Sequence, residues 1–259
     1  MSRPLWKQVA LPAEHGGWGL TLEPVLLGLL VAPSLAGLAI GLAALAAFLV
    51  RTPLKLAVID RRRDQWADRS RLAARIAAAE LALIVAAAAV AVALAGPRWL
   101  LPVAAAAPLI AIELAYDIRS RGRRLLPELC GSIGIATVSA AIVLAAGKGP
   151  RLAVAVWAVL AARAIAAIPF VRAQIMRLRR GEFSTRSADT AQLLALVVAA
   201  AAVVADPRTL VGAVGLVVVA LLHTVWMRRP PTAAKVLGLR QMALGFSVVL
   251  ATAGGVWIS

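Results

Sequence analysis

Long apolar runs separated by short polar stretches divide this chain along its whole length. A membrane-crossing helix needs roughly 20 mostly apolar residues, so ending each run at a proline, glycine or charge cluster predicts about nine transmembrane helices. The predicted spans are 17–33, 35–58, 74–95, 99–116, 126–146, 152–176, 189–205, 209–226 and 239–257. The pattern indicates a single all-α transmembrane domain over residues 1–259. If the first span, which contains Glu23 and Pro24, lies only at the interface, the count drops to eight.

The polar separators are of two alternating kinds. Those after odd-numbered spans are short, such as 33–34, whereas those after even-numbered spans are rich in arginine, such as 119–124. Lysine and arginine favour the cytoplasmic side of a membrane. The alternation therefore predicts a multi-pass protein of the cytoplasmic (inner) membrane with its N-terminus inside and its C-terminus outside. The N-terminal residues make a poor signal peptide, so the first span is expected to remain in the mature protein.

Composition supports the membrane interpretation and excludes several soluble classes. Hydrophobic residues make up 62% of the 259 residues, charged residues 15%, and the mean hydropathy is +0.88, beyond the range of soluble domains. The net charge of +16 would suggest nucleic acid in a soluble protein. Here the basic residues lie between hydrophobic spans, so we expect membrane lipid as a partner and no nucleic acid. The single cysteine excludes an intramolecular disulfide, and with two histidines it supplies too few ligands for a cysteine/histidine zinc site.

Ionisable residues within the spans concentrate in the inner, cytoplasmic half. An ionisable side chain in a span costs at least ~2.5–3.5 kcal/mol, so by default it faces a cavity or a partner. We therefore predict a polar cavity open to the cytoplasm, with Arg163 lining it near mid-membrane and Arg51 and Lys55 at an inner helix end, and we expect these three residues to bind an anionic substrate. The alternative is that many of these residues reach the interface or form structural pairs. The set comprises Glu14, His15, Glu23, Arg51, Lys55, Glu80, Glu113, Asp117, Glu128, Arg163, Arg172, His223 and Arg240.

Three aspartates follow the second span at intervals of four residues: Asp60, Asp64 and Asp68. If the helix continues through them, their carboxylates lie along one side and could share Mg²⁺, which prefers oxygen ligands and bridges to substrate phosphates. In that case Asp60 and Asp64 would also be candidate catalytic residues. The alternative is a solvated loop helix whose aspartates pair with neighbouring arginines.

Two arginine-rich loops and one histidine motif supply further candidates. Because guanidinium groups bind phosphate in a bidentate manner, Tyr116, Arg119 and Arg124 in one loop, and Arg172 and Arg179 in the other, are expected to bind a diphosphate head group. These arginines could instead only set the topology and contact anionic lipid. At the start of the first span, Glu14 and His15 could transfer protons as catalytic groups, or serve a structural role.

Together these stretches resemble the YwiC-like family of bacterial membrane proteins. The resemblance rests on PAEHGGW at 12–18, RTPLK at 51–55, AYDIR at 115–119, LLPEL at 125–129, FVRA at 170–173 and GLR at 238–240. It covers nearly the whole chain and implies a bacterial inner-membrane location, but it brings little information about function.

More distantly, the layout resembles the UbiA superfamily of intramembrane prenyltransferases, which implies nine helices and a cytoplasm-facing cavity. In that superfamily two aspartate-rich motifs, after the second and sixth helices, hold magnesium and an isoprenoid diphosphate. Asp60, Asp64 and Asp68 stand where the first motif falls, without its usual Asn-Asp opening. The second motif is replaced by arginines such as Arg172 and Arg179, which reverses the sign of the site and removes the usual two-magnesium mechanism.

The functional hypothesis is a UbiA-like bundle that binds an amphipathic anion, an isoprenoid or other lipid diphosphate, in a cytoplasm-facing cavity. The sequence leaves open whether the chain also transfers a prenyl group, with Mg²⁺ as the cofactor, or only binds. Two alternatives remain: a transporter or flippase for a small or lipidic anion, and a non-catalytic membrane assembly partner.

Overall fold

The computed structural model describes residues 5–10, 15–64, 66–119, 124–181 and 184–259. Within these ranges the chain forms ten α-helices and one short 3-10 turn, Pro207–Thr209, with no β-strand. The helices are α1 Leu5–Ala10, α2 His15–Val31, α3 Leu35–Arg62, α4 Asp68–Ala95, α5 Leu100–Ile118, α6 Leu125–Ala145, α7 Pro150–Arg180, α8 Arg186–Ala205, α9 Leu210–Met227 and α10 Ala234–Ile258.

The length and composition of these helices confirm an all-α integral membrane bundle. Among the described residues, the eight helices α3 to α10 are long and apolar enough to cross a membrane. The predicted first span corresponds to α2, a shorter apolar helix whose Glu23 is only 3% exposed. Because α2 packs against α3, α6, α7 and α10, it lies inside the bundle. The protein is thus a multi-pass membrane protein.

Helix α7 is the central element of the bundle. It contacts α2, α6, α8, α9 and α10, and most of its apolar stretch is buried, whereas few residues of α5 are fully buried. Many of its inward positions are alanines, including Ala155, Ala162 and Ala166. Small residues of this kind allow neighbouring backbones to approach closely inside a bilayer. The alanine pattern therefore explains how one helix can be surrounded by five others.

The two ends of the bundle differ in charge. We define the inner end as the end with the connections 63–67, 119–124, 181–185 and 228–233, which together with the adjoining helix ends are rich in arginine, and the outer end as the opposite one. At the inner end, α3 continues to Arg62 and α7 to Arg180, beyond the predicted limits 58 and 176. The last turns of both helices therefore present arginines on a helical scaffold.

Candidate functional site

A chain of buried polar side chains crosses the core of the bundle. Its members are Glu23 of α2, Arg163 of α7, Gln192 of α8, His223 of α9 and Gln241 of α10, each at most 8% exposed. They come from five different helices and are surrounded by apolar residues. We call this set the polar column. The polar interior predicted from the sequence is therefore a packed column of side chains.

The ion pair of Arg163 and Glu23 is the charged part of the polar column. The distance from Arg163 Nη2 to Glu23 Oε1 is 3.6 Å, and the same Nη2 donates a hydrogen bond of 2.6 Å to the backbone oxygen of Gln241. Arg163 Nε and Nη1 have no hydrogen-bond partner within the described part of the chain. Glu23 lies against Gly245 of α10, where any side chain would collide with its carboxylate. The pair is thus deeply buried yet incompletely hydrogen-bonded.

His223 lies between Gln192 and Gln241 in the polar column, in a defined orientation. Gln192 Nε2 donates to the backbone oxygens of Ala166 and Ala188, at 2.9 and 3.2 Å, so its Oε1 is directed at His223 Nδ1, 3.3 Å away. His223 Nε2 lies 2.9 Å from Gln241 Nε2. This network assigns the ring proton to Nδ1 and makes Nε2 an acceptor. The ring also stacks on Phe170, with centroids 4.1 Å apart.

Polar contacts continue from the column to the inner end. Gln174 Nε2 donates to the backbone oxygen of Trp226 at 3.0 Å, and Arg177 Nη1 donates to that of Met227 at 2.5 Å. The Arg240 guanidinium carbon lies 5.1 Å from the centroid of the Trp226 ring, a cation–π arrangement. The inner ends of α7, α9 and α10 are therefore joined by polar side chains that lead from the surface towards Arg163.

Arg51 and Lys55, predicted to bind an anion, are paired with acidic residues of α5. Arg51 Nη1 lies 2.7 Å from Glu113 Oε1, and Lys55 Nζ lies 2.6 Å from Asp117 Oδ1. The second Arg51 nitrogen is 3.8 Å from Asp117. Two positive and two negative charges therefore balance one another between α3 and α5. The sequence placed all four at the inner end but did not predict their pairing.

The predicted group of three aspartates is not assembled. Helix α3 ends at Arg62, and Asp64 adopts a left-handed backbone with a φ of 55°, so no continuous helix carries the three residues. Asp60 accepts a hydrogen bond of 2.6 Å from Ser70 and lies 3.3 Å from Arg69, while Asp68 pairs with Arg71 at 3.3 Å. No group of three or more acidic, histidine or cysteine residues that could hold a metal occurs in the described ranges. The residues present do not fit the expected Mg²⁺.

The other predicted residues lie around the inner end without forming one common site. Tyr116 is half-buried, whereas Arg119, Arg124 and Arg179 are exposed. Arg172 is half-buried and has an interaction partner in the structure. Glu14 lies outside the described residues, as does the side chain of His15.

Sequence reasoning missed two buried glutamines, Gln192 and Gln241, and did not predict that a third, Gln174, is buried. Because glutamine carries no charge, a search restricted to ionisable residues does not identify these residues. Each nevertheless interrupts or borders an apolar run, where an amide has to find a hydrogen-bond partner. A search for all strongly polar residues within the predicted spans would have found them.

Comparison with known proteins identifies the family. No curated protein and no solved structure matches this chain. The family model for YwiC-like proteins matches residues 11–145, just over half of the sequence. The matched region contains Glu23, the paired residues Arg51 and Glu113, and Asp60, and it ends before α7. This chain therefore belongs to the YwiC-like family.

Proposed function

We propose that this membrane protein binds an amphipathic anion, an isoprenoid or other lipid diphosphate, at the inner ends of α7, α9 and α10. One observation carries the proposal, namely the excess of basic residues in segments 172–189 and 228–240. The basic residues there are Arg172, Arg177, Arg179, Arg180, Arg186, Arg228, Arg229, Lys235 and Arg240, against the acidic residues Glu182 and Asp189. We call these nine residues the basic cluster.

The basic cluster differs from the other cationic group of the inner end. Arg51 and Lys55 are neutralised at 2.7 and 2.6 Å by two carboxylates. In the basic cluster, Asp189 lies 3.7 Å from Arg228 and Arg172 has an interaction partner of its own, which leaves seven basic residues and one acidic residue, Glu182, in these segments. Guanidinium groups form charge-assisted, often bidentate, hydrogen bonds with phosphate. A diphosphate would supply the missing negative charge.

Apolar side chains beside the basic cluster suit the tail of such a ligand. Leu178 of α7, Val225 of α9, and Val236 and Leu239 of α10 are large apolar side chains next to it in the sequence, each at least 44% exposed, and Arg240 lies over the Trp226 ring. A head group held by arginines at the membrane interface would leave its hydrocarbon tail beside these helices. This placement of charge next to apolar surface supports an amphipathic ligand over a free inorganic anion.

The geometry supports binding of a lipid diphosphate. Prenyl transfer would be a catalytic step in addition to this binding. Transfer would require the arginines to assist departure of the diphosphate, since Asp60, Asp64 and Asp68 do not form a cation site. The basic cluster stands where the UbiA-like comparison expects acidic magnesium ligands. We therefore propose recognition of a diphosphate without assigning a metal-dependent reaction to it.

Replacing two exposed arginines of α7 should weaken diphosphate binding. In the double variant Arg179→Gln/Arg180→Gln we expect at least roughly tenfold weaker binding of farnesyl diphosphate, because the loss of a single hydrogen bond to a charged group already costs ~1.5–3 kcal/mol and tenfold corresponds to ~1.4 kcal/mol. The measurement is a titration of the full-length protein in detergent, followed by native mass spectrometry.

The matched control is Arg61→Gln/Arg62→Gln, which removes the same charge from the last turn of α3 at the same end of the bundle. This control should retain wild-type affinity within about twofold, and neither double variant should change the binding of dioleoyl phosphatidylcholine. Equal losses in the two double variants would indicate a nonspecific effect of net charge. That result, or a wild-type protein that does not bind farnesyl diphosphate, would refute the proposal.

A second candidate function is proton-coupled anion transport, which is favoured by the titratable residues in the core. Glu23, Arg163 and His223 lie on three helices and are each at most 3% exposed, and intramembrane groups of this kind often form ion or proton pathways. In proteoliposomes containing a trapped pH-sensitive dye, wild-type protein should then move protons, and Glu23→Gln should reduce this flux at least about tenfold. Asp68→Asn, at an exposed carboxylate, is the control for charge, and circular dichroism of the reconstituted Glu23→Gln variant, which should match the wild type, is the control for folding. Flux equal to that of empty liposomes would rule this candidate out.

A further inference from the structure

The outer end of the bundle contains a cavity of about 490 Å³ between α2, α7, α10, the connection that follows α6 and the 3-10 turn Pro207–Thr209. Residues that line it include Val31, Lys148, Leu152, Arg208, Val256 and Trp257. Cavities that bind small molecules usually measure ~300–1,000 Å³ and combine apolar walls with a few polar groups. This cavity has both properties, and it lies at the opposite end from the basic cluster.

The basic residues of the outer end are concentrated around this cavity. The outer connections and helix starts contain four lysines and arginines in total, Arg98, Lys148, Arg151 and Arg208. The positive-inside tendency disfavours such residues on the outer side, so their distribution is informative. Lys148 and Arg208 line the cavity, and Arg151 is close enough to Asp206 to act on its carboxylate. Three of the four cations therefore lie together.

Their charges are only partly balanced. Asp206 accepts hydrogen bonds from Arg208 Nε at 2.9 Å and Nη2 at 2.6 Å, and these bonds hold the pKa of its carboxyl below the ordinary value. Asp206 therefore stays ionised and neutralises one of the three cations. The Lys148 ammonium forms no hydrogen bond or ion pair with any described residue. A positive charge is left at the edge of the cavity.

The walls of the cavity connect this charge with the lipid-facing surface. Val31, Leu152 and Val256 supply apolar surface, and Trp257 is 70% exposed while also lining the cavity. The Trp257 indole donates a hydrogen bond of 2.6 Å to the backbone oxygen of Leu30, which fixes the ring between α10 and α2. Tryptophan is typical of membrane interfaces. An occupant could therefore keep its apolar part in the bilayer and place its head group beside Lys148.

We propose that the outer cavity binds the phosphate head group of an anionic lipid, with the Lys148 ammonium contacting the phosphate. The lipid enters from the adjoining leaflet past Trp257, and its first acyl carbons lie against Val256 and Leu152. This site is separate from the diphosphate site at the inner end. Lipid binding in the outer cavity does not depend on whether the inner end binds a diphosphate.

The test compares Lys148→Gln with Arg98→Gln in the full-length protein. Arg98, the fourth outer cation, lies in the connection between α4 and α5 and does not line the cavity. Native mass spectrometry in detergent is used to titrate dioleoyl phosphatidic acid, dioleoyl phosphatidylcholine and inorganic phosphate in turn. We expect Lys148→Gln to weaken phosphatidic acid binding roughly tenfold, since one charge-assisted hydrogen bond is lost, and Arg98→Gln to change it less than about twofold.

A second variant, Val256→Trp, tests the cavity by filling it without altering charge. It should reduce phosphatidic acid binding to a similar extent while leaving farnesyl diphosphate binding at the inner end unchanged. The proposal is overturned if Lys148→Gln and Arg98→Gln have equal effects, or if neither Lys148→Gln nor Val256→Trp weakens binding. Lys148-dependent binding of inorganic phosphate without binding of phosphatidic acid would also overturn the assignment to a lipid.

Discussion

Replacing Arg163 by leucine is expected to destabilise the protein by about 3–5 kcal/mol, because the substitution leaves the Glu23 carboxylate buried without its partner. The two side chains are 3% and 4% exposed and their closest charged atoms are 3.6 Å apart. Glu23→Gln should destabilise the protein by a comparable amount, because it leaves the buried Arg163 guanidinium without a charged partner. Unfolding of the purified protein in mixed micelles, followed by circular dichroism, measures both effects.

A double-mutant cycle measures the interaction between Glu23 and Arg163 separately from the contacts that each side chain makes with other residues. Because a buried ion pair often adds little net stability relative to neutral residues, Glu23→Gln combined with Arg163→Leu should be more stable than either single variant. Arg179→Leu on the same helix is the control, and we expect a change within ~0.5 kcal/mol at this exposed position. Strictly additive losses in the double variant would show that the two side chains do not interact.

Gly245→Ala is expected to cost about 1–3 kcal/mol, the usual range for overpacking a well-filled core. A methyl group at this position would collide with the Glu23 carboxylate, so the ion pair would have to shift or α10 would have to move. The same unfolding measurement detects the loss.

Helix α10 supplies a matched control in Gly254, where an added methyl group meets nothing within 4 Å. Gly254→Ala should not lower stability, since alanine is the better helix former. If both glycine substitutions have the same effect, helix propensity explains the result and close packing against Glu23 does not. If only Gly245→Ala destabilises the protein, α10 is confirmed as a wall of the charged site.

Hydropathy and charge distribution were sufficient to predict the helical bundle. The apolar runs located α3 to α10, because each run is as long as a bilayer is thick, and the arginine clusters located the inner end. Helices α3 and α7 extend past the predicted spans, which end at 58 and 176, since helices continue beyond the membrane into residues that are no longer apolar. Hydropathy measures the membrane-embedded segment, whereas hydrogen bonding determines where the helix ends.

The candidate site was predicted less completely, because contacts between distant residues leave no local signal. Glu23 and Arg163 were both identified as intramembrane charges, but their pairing depends on how α2 packs against α7. The interval of four between Asp60 and Asp64 suggested a shared helix face, yet one left-handed residue ends that helix. Spacing is informative only while the backbone conformation is regular.

The position of Arg163 on the central helix has a consequence for biogenesis. The translocon releases helices in chain order, so α2 with Glu23 is already in the membrane when α7 emerges. The Gln241 carbonyl that Arg163 also contacts is synthesised 78 residues later. After α7 emerges and before Gln241 is synthesised, the Arg163 guanidinium has at most Glu23 as a partner. We therefore expect α7 to stay near the insertion machinery or a chaperone until α10 arrives, so that ribosomes stalled before residue 241 would expose an unstable intermediate to membrane proteases.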